Sequence, residues 1–511
     1  MSLTASTTRP ATPPHPMLVA MVVSLAAFME VLDTTITNVS LSHIAGSLAA
    51  SQEESTWVLT SYLVANGIVL PLSGWLSGVM GRKNFFMLCI AGFTVASFAC
   101  GVATSLPMLI VFRLMQGLAG GGLQPMQQAI IMDSFPPEKR GTAFGITGIT
   151  MIVAPILGPT LGGYITDNFS WRWIFFMNVP VGIVALLLIR SLVTDPPHAV
   201  AKGVKSIDYI GLGLLAIGLG SLQIVLDKGQ EDDWFDSRFI IFFATVSAVC
   251  LASTVVWLLR QKDPIVDLRL FANKYFGPAC LMIFFVGFTL YGASTLLPLL
   301  VQTAFGYDAT LAGLVLSPGG FAVIFLMPVA GKLVNKVQAR YLIAFGMTMT
   351  AIGMGATMLF TPQTDYHTFV LFRILQVAGL PFLFVPTSVM AFSAIPKEKT
   401  NKASALFSLM RNMGGSFGIA LALSFIQRRE QLHQNYLGQH LTPGSPAYQA
   451  ATTIAAPGKL YQQLLKQAAI LSYGDAFQLF ALIVGTLAVI ALFLPHNKIQ
   501  AKPSADAAPV H

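Results

Sequence analysis

The chain has 511 residues, of which 54% are hydrophobic and only 10% charged, where a soluble globular protein carries roughly 25% charged residues. A water-facing surface cannot be built from this composition, so the surface must be solvated by lipid. The formal net charge of +8 comes from basic residues spread thinly along the chain, which excludes the clustered patch that nucleic-acid binding needs.

Residues 1–16 read as a short polar, Pro-containing tail without the pattern of a cleavable signal, so the first apolar run is expected to stay as a spanning helix. A bilayer core needs roughly 20 mainly apolar residues per helix. Such runs fall near 17–39, 57–79, 85–104, 107–131, 142–166, 173–193, 207–226 and 239–259, then near 275–300, 311–331, 341–360, 367–393, 403–426 and 474–494. That makes fourteen spans in an all-α membrane protein. With the N-terminus placed inside, the inside segments hold 20 Lys and Arg and the outside segments 7. A wrong count would scramble that bias, so both termini are expected on the cytoplasmic side. Cys89, Cys100, Cys250 and Cys280 all lie in apolar runs without metal spacing and read as small packing residues.

An internal repeat recurs at a spacing of 260 residues: Phe112-Arg113-Leu114-Met115-Gln116 returns as Phe372-Arg373-Ile374-Leu375-Gln376. It sets the fourth helix against the twelfth. The expected organisation is therefore an N-terminal six-helix bundle over 17–200, two inserted helices over 207–260 and a C-terminal six-helix bundle over 270–495, with a second tail over 496–511. Parallel halves with a site between them near the midplane are the architecture of an alternating-access transporter.

Charges inside a membrane are costly and mark function. The first helix carries Glu30 and Asp33, spaced to share one face; the fourth, twelfth and thirteenth carry Arg113, Arg373 and Arg411. Asp33 and Arg113 each lie six residues from the outer end of their run, roughly 9 Å deep at 1.5 Å per residue, so they meet if the first and fourth helices are neighbours. Burial disfavours an ionised carboxylate and a nearby arginine favours it. A movement that separates the two would load and unload a proton, which makes Asp33, Glu30 and Arg113 candidates for proton coupling; a purely structural ion pair is the other reading. The fifth helix holds Gly148, Pro155, Gly158, Pro159, Gly162 and Gly163, the composition of a bend at a close helix contact. The short basic loop after the second helix, with Gly74, Gly81, Arg82 and Lys83, reads either as a gate that latches onto helix ends or as simple inside anchoring.

These segments carry a resemblance to the major facilitator superfamily, and within it to fourteen-spanner drug:proton antiporters of the EmrB/QacA type, nearer the EmrB side. Leu32-Asp33-Thr34-Thr35 resembles the first-helix motif, Arg113-Leu114-Met115-Gln116-Gly117 the fourth-helix motif, and Ala154-Pro155-Ile156-Leu157-Gly158-Pro159 the antiporter motif of exporters. Trp171-Arg172-Trp173 through Pro180 is similar to the signature of the fourteen-helix branch. The resemblance covers nearly the whole chain. One position departs from it: Gly78 stands where the family's loop usually has an acid, so a charge relay through that loop does not carry over.

The resemblance implies a non-enzymatic, proton-coupled multidrug efflux antiporter in the bacterial inner membrane, with no cofactor beyond the proton gradient. Its partners would be hydrophobic or amphipathic substrates, membrane lipid, and a periplasmic adaptor with an outer-membrane channel. A dedicated exporter of an endogenous metabolite, such as a siderophore, is the alternative on the same scaffold. By analogy the cavity is expected between the first, fourth, ninth and twelfth helices, with Asn38, Gln116, Arg373, Gln376 and Arg411 as candidate lining residues. The long outside segment 427–473 reads either as an adaptor-docking surface or as a protective loop.

Overall fold

The computed structural model describes residues 15–196, 208–440, 448–449 and 457–496, and every regular element within them is a helix. The expected tails over 1–16 and 496–511 and the linker before the seventh span fall largely outside the described residues, as do Arg9, Lys202, Lys205, Lys498 and Lys502. Among the described residues, fourteen helices are long and apolar enough to cross a bilayer. In chain order they are α1 (Pro16–Ser47), α2 (Glu53–Met80), α3 (Arg82–Gly101), α4 (Leu106–Ser134), α5 (Arg140–Asn168), α6 (Trp173–Leu192) and α7 (Tyr209–Lys228). There follow α8 (Arg238–Arg260), α9 (Phe276–Phe305), α10 (Ala309–Leu333), α11 (Ala339–Leu359), α12 (Tyr366–Phe392), α13 (Lys397–His440) and α14 (Gly458–Ala491). The end that carries the basic loops is taken as the inner one.

Local chemistry fixes the helix ends. Ser51 Oγ accepts from the Glu54 amide at 3.1 Å while the Glu54 carboxylate accepts from the Ser51 amide at 2.9 Å, a reciprocal cap on α2. Asp208, Asp308 and Asp365 cap α7, α10 and α12 by accepting from the amides of Gly211, Leu311 and Thr368 at 2.8, 2.6 and 3.2 Å. Gly81 turns the chain between α2 and α3 at φ 83°, a conformation that strains any side chain.

Helices α1–α6 and α9–α14 build two six-helix bundles, and the same positions pack in each: α1 lies along α5, and α9 along α13. The bundles meet along α5–α10 and α2–α13, with α4–α13 and α5–α12 adding smaller contacts. Small residues permit the close approach. A Cβ on Gly74 would sit 2.9 Å from the Lys402 Cα at the inner end of the α2–α13 seam. One on Gly331 would sit 2.9 Å from the Gly141 carbonyl oxygen, so α5 and α10 nearly touch at their inner ends too. The inserted α7–α8 hairpin leans on the outside of this pair: α7 packs on α2 and reaches α13, while α8 presents most of its surface outward. Exposed Val95, Val249, Phe325 and Phe493 face where lipid would lie.

Several boundaries run past the apolar stretches. Helix α1 continues to Ser47, and α13 continues to His440, more than three turns beyond its apolar run. The segment 427–473 is thus no simple loop among the described residues but the extension of α13 facing an extension of α14 that starts at Pro457. Asp475 Oδ2 staples them, lying 2.5 Å from Arg429 Nη2 and 2.8 Å from His433 Nε2. Helices α4 and α12 break shortly after Gln116 and Gln376, at Gly121–Gly122 and at Gly379, as repeat partners do.

Candidate functional site

Asp33 and Arg113 meet. Arg113 Nη1 donates to Asp33 Oδ2 at 2.6 Å, and both side chains are fully buried. The carboxylate's other oxygen accepts from Gln116 Nε2 at 3.1 Å and from Asn178 Nδ2 at 2.8 Å. Gln116 also accepts from Arg113 Nη1 at 2.8 Å, and Arg113 Nε donates to the Val58 carbonyl at 3.1 Å. The guanidinium lies over the Tyr62 ring at 4.3 Å from its centroid. One acid thereby ties together α1, α4 and α6. A charge taken out of water needs this density of partners.

Glu30, one turn earlier, has a different environment. Its Oε1 accepts from Tyr62 Oη and Asn66 Nδ2, each at 3.0 Å, and its Oε2 accepts from Gln124 Nε2 at 2.5 Å. All three partners are neutral. Gln124 in turn accepts from Arg411 of α13, so a chain of two hydrogen bonds links a carboxylate in one bundle to a cation in the other.

Glu30 also borders a cavity of about 520 Å³ between the bundles. Its wall is drawn from the outer parts of α1, α2, α5, α9, α10 and α13, with Gln124 of α4 at its floor and Gln223 of α7 at one side. The wall is rich in neutral hydrogen-bonding groups (Asn38, Asn66, Gln302, Asn412, Tyr62 and Tyr291), interleaved with Leu59, Leu299, Ile419 and Leu423. Glu30 is the one acid among its described lining residues. On the inner side the seams are closed by the Gly74–Lys402 and Gly141–Gly331 contacts and by Asn401 Nδ2 donating to Ser77 Oγ at 3.0 Å.

The sequence expectation for the cavity needs correction. Of the five expected lining residues, Asn38 lines it and Gln116, Arg373, Gln376 and Arg411 do not. The expected residues on α4 and α12 turn into their own bundles, where partners exist: Gln116 to Asp33, and Arg373 to Ser294 Oγ at 2.8 Å and Gln376 Oε1 at 3.4 Å. The walls expected from α12 come instead from α2, α5, α10 and α13. In the Gly- and Pro-rich fifth helix, Pro155 and Pro159 face the cavity. Gly162 lets α1 approach, with a Cβ there 3.2 Å from the Ile36 backbone, and Gly158 likewise abuts Thr35. Gly163 faces Ala309 and Thr310 of α10, and Gly148 faces Met327 and Phe384.

The two cations of the basic loop bond within their own bundle. Arg82 donates to Asp133 at 2.5 Å and to the Ala129 carbonyl at 3.1 Å, both on α4. Lys83 Nζ donates to the Arg190 carbonyl at 2.7 Å, and its amide to Asp195 at 2.9 Å; burial pushes the Asp195 carboxyl above its ordinary range. Gly78 faces open space. Of the expected loop residues it is Gly74 that crosses to the other bundle, together with Ser77.

Several residues that sequence reading missed belong to the site. Asn178, Gln124, Asn66 and Tyr62 are neutral and cost little to bury when paired, so they give no signal in a composition scan. Asp227 falls one residue past the apolar run near 207–226, yet it lies within α7 and accepts from Thr60 of α2, next to Lys228, which donates to Thr56 and lies 2.5 Å from Glu231. Gln223, one turn earlier on α7, donates to Ser416 of α13 at 3.1 Å. The inserted helix is therefore part of the wall.

Fourteen spans, paired bundles and a polar cavity closed at its inner end define a polytopic membrane transporter of the alternating-access class. The chain belongs to the Major Facilitator Superfamily, whose profile matches residues 23–425. It is 39% identical over 474 residues to the multidrug export protein EmrB of Escherichia coli K12, covering 91% of this chain and 92% of that one. It is 38% identical to the fatty acid resistance protein FarB of Neisseria gonorrhoeae, covering 84% of each. The fold is similar to that of the proton:xylose symporter XylE bound to 6-bromo-6-deoxy-D-glucose, with a TM-score of 0.60 at 16% identity over 95% of this chain and 97% of that one.

Proposed function

We propose that this protein is a proton-coupled antiporter that exports hydrophobic and amphipathic small molecules across the bacterial inner membrane. The observation that carries the reading is Glu30: a carboxylate on the wall of an otherwise neutral cavity, held only by neutral donors, and joined through Gln124 to Arg411 of the opposite bundle. Movement of one bundle against the other would break that link and change the environment of the carboxylate, which is what alternate loading and release of a proton require. The Asp33–Arg113 pair lies one turn away, outside the cavity wall, and would hold α1 in register with α4 and α6 while the bundles move. The names of the similar proteins, a multidrug exporter and a fatty acid resistance protein, support export of apolar compounds. The proton gradient would be the energy source, without a cofactor.

The stapled extensions of α13 and α14 stand beyond the outer ends of the spans. These two extensions would be the surface for a periplasmic adaptor, which with an outer-membrane channel would complete the export path.

The test is transport in vesicles. Purified protein is reconstituted with an imposed pH gradient and an entrapped pH dye, and hydrophobic compounds are added in turn. A compound that discharges the gradient through wild type but not through protein-free vesicles supports the reading. Demonstrable transport that leaves every gradient untouched rules out antiport.

A further inference from the structure

Two buried arginines in the C-terminal bundle make no direct ion pair among the described residues, and the acid nearest Arg411, Glu30, is reached only through Gln124. Arg411 is 1% exposed; its Nη2 donates to Gln124 and to Asn412 Oδ1 at 3.3 Å, and its Nε and Nη1 have no partner among the described residues. Arg373 is fully buried, with the Ser294 hydroxyl and the Gln376 amide as its partners and no partner for its Nε. Gln124, Asn412 and Ser294 all line the cavity. Each guanidinium thus stands one neutral side chain behind the wall. The counterpart of Arg373 in the N-terminal bundle is Arg113, which is ion-paired with Asp33 and keeps only its Nη2 without a partner among the described residues.

An uncompensated cation in a low-dielectric interior is costly, and the cost falls when an anion arrives. The donors left over on Arg411 suit a planar acid, since a guanidinium offers a fork of N–H groups that matches carboxylate geometry. Glu30 does not fill this role, because its oxygens are taken by Tyr62, Asn66 and Gln124 on the opposite side. The wall next to Asn412 is apolar, with Leu299, Ile419 and Leu423 within the same cavity.

We propose that Arg411, with Asn412 and Gln124 in front of it, is the subsite for the anionic head of an amphipathic substrate, whose tail lies along Leu299, Ile419 and Leu423. This inference rests on the cavity being the substrate site. The same chemistry would hold an anionic lipid headgroup, and the experiment separates the two sources.

Binding is measured in nanodiscs of neutral phospholipid with three probes of matched tail: dodecanoate, dodecyltrimethylammonium and dodecanol. Wild type is expected to bind dodecanoate about tenfold or more tightly than Arg411→Gln does, the usual weight of a charge-assisted contact. Dodecanol binding should be unchanged, and Arg411→Lys should recover part of the dodecanoate affinity. Adding anionic phospholipid to the discs leaves dodecanoate binding unchanged if the subsite serves substrate, and weakens it in wild type alone if a lipid headgroup occupies Arg411. Equal dodecanoate binding by wild type and Arg411→Gln overturns the proposal, as does an equal loss of all three probes. Because binding needs no gradient, failure of antiport with an intact dodecanoate preference sinks the functional reading and leaves the subsite standing. An Arg411→Gln protein that fails to fold is replaced by Asn412→Ala, which opens the wall in front of Arg411. That variant should still bind dodecanoate at least as tightly as it binds dodecanol, and preference for dodecanol would overturn the proposal.

Discussion

Arg113 and Arg373 stand at equivalent places of the internal repeat, and the decisive difference in their surroundings is a carboxylate. In the N-terminal bundle the facing position on α1 is Asp33, and five hydrogen bonds to that carboxylate and its arginine close a network across four helices. In the C-terminal bundle, Ala293 stands 260 residues after Asp33, and Ser294 beside it is all that α9 offers Arg373. One arginine has an acid beside it and the other does not. The lesson is that the repeat conserves shape while charge is distributed asymmetrically, so that one bundle is a rigid frame and the other presents unspent donors behind the cavity.

The largest expected contrast comes from removing each arginine. Arg113→Met leaves Asp33 buried without its cation and should cost about 3–5 kcal/mol, read as a lower thermal midpoint in detergent. Arg373→Met removes a charge that has no acid and should be near neutral or stabilising. Equal losses at the two sites would break the comparison.

Restoring the missing acid sharpens it. Ser294→Asp should pair with Arg373, and a double-mutant cycle between Ser294→Asp and Arg373→Met should give a coupling of about 1–3 kcal/mol. No coupling would mean that the two side chains do not meet. A smaller effect separates two glycines of one helix. Gly74→Leu must push against the Lys402 backbone and should cost about 1–3 kcal/mol, with slower access of an impermeant thiol reagent to a cysteine placed on the cavity wall. Gly78 faces open space, and Gly78→Leu should lie within about 0.5 kcal/mol of wild type.

The smallest effect concerns the cap of α12. The Thr368 hydroxyl and amide bond the ionised Asp365 side chain and hold its carboxyl below the ordinary range. Its contribution is therefore present above the unfolded value and lost as pH falls through the folded one. Asp365→Ala should flatten the acid limb of a stability profile slightly and leave the neutral limb parallel to wild type.

Much of this was legible in the sequence because membrane burial writes itself into composition. All fourteen spans follow from apolar run length, and the Asp33–Arg113 pair follows from two charges at equal depth. The α14 extension falls on the helix-compatible stretch around residues 460–465, whereas the α13 extension lies beyond its apolar run because helical hydrogen bonding continues where hydropathy stops. The wall of the cavity was misassigned for a different reason. Run length does not say which face of a helix meets which neighbour, so Gln116, Arg373 and Gln376 turn inward to partners while the less conspicuous Asn66, Gln223 and Asn412 face the cavity. Asp227 was hidden by its place one residue past the expected end of the seventh run.

The most direct measurement compares Glu30→Gln with wild type in the same pH-gradient vesicles, scoring both substrate-driven proton discharge and gradient-free substrate exchange. The expected result is lost discharge with exchange preserved, because the cavity and the Asp33–Arg113 frame remain while the proton carrier is gone. Discharge at the wild-type rate through Glu30→Gln would contradict the assignment of proton coupling to the cavity carboxylate.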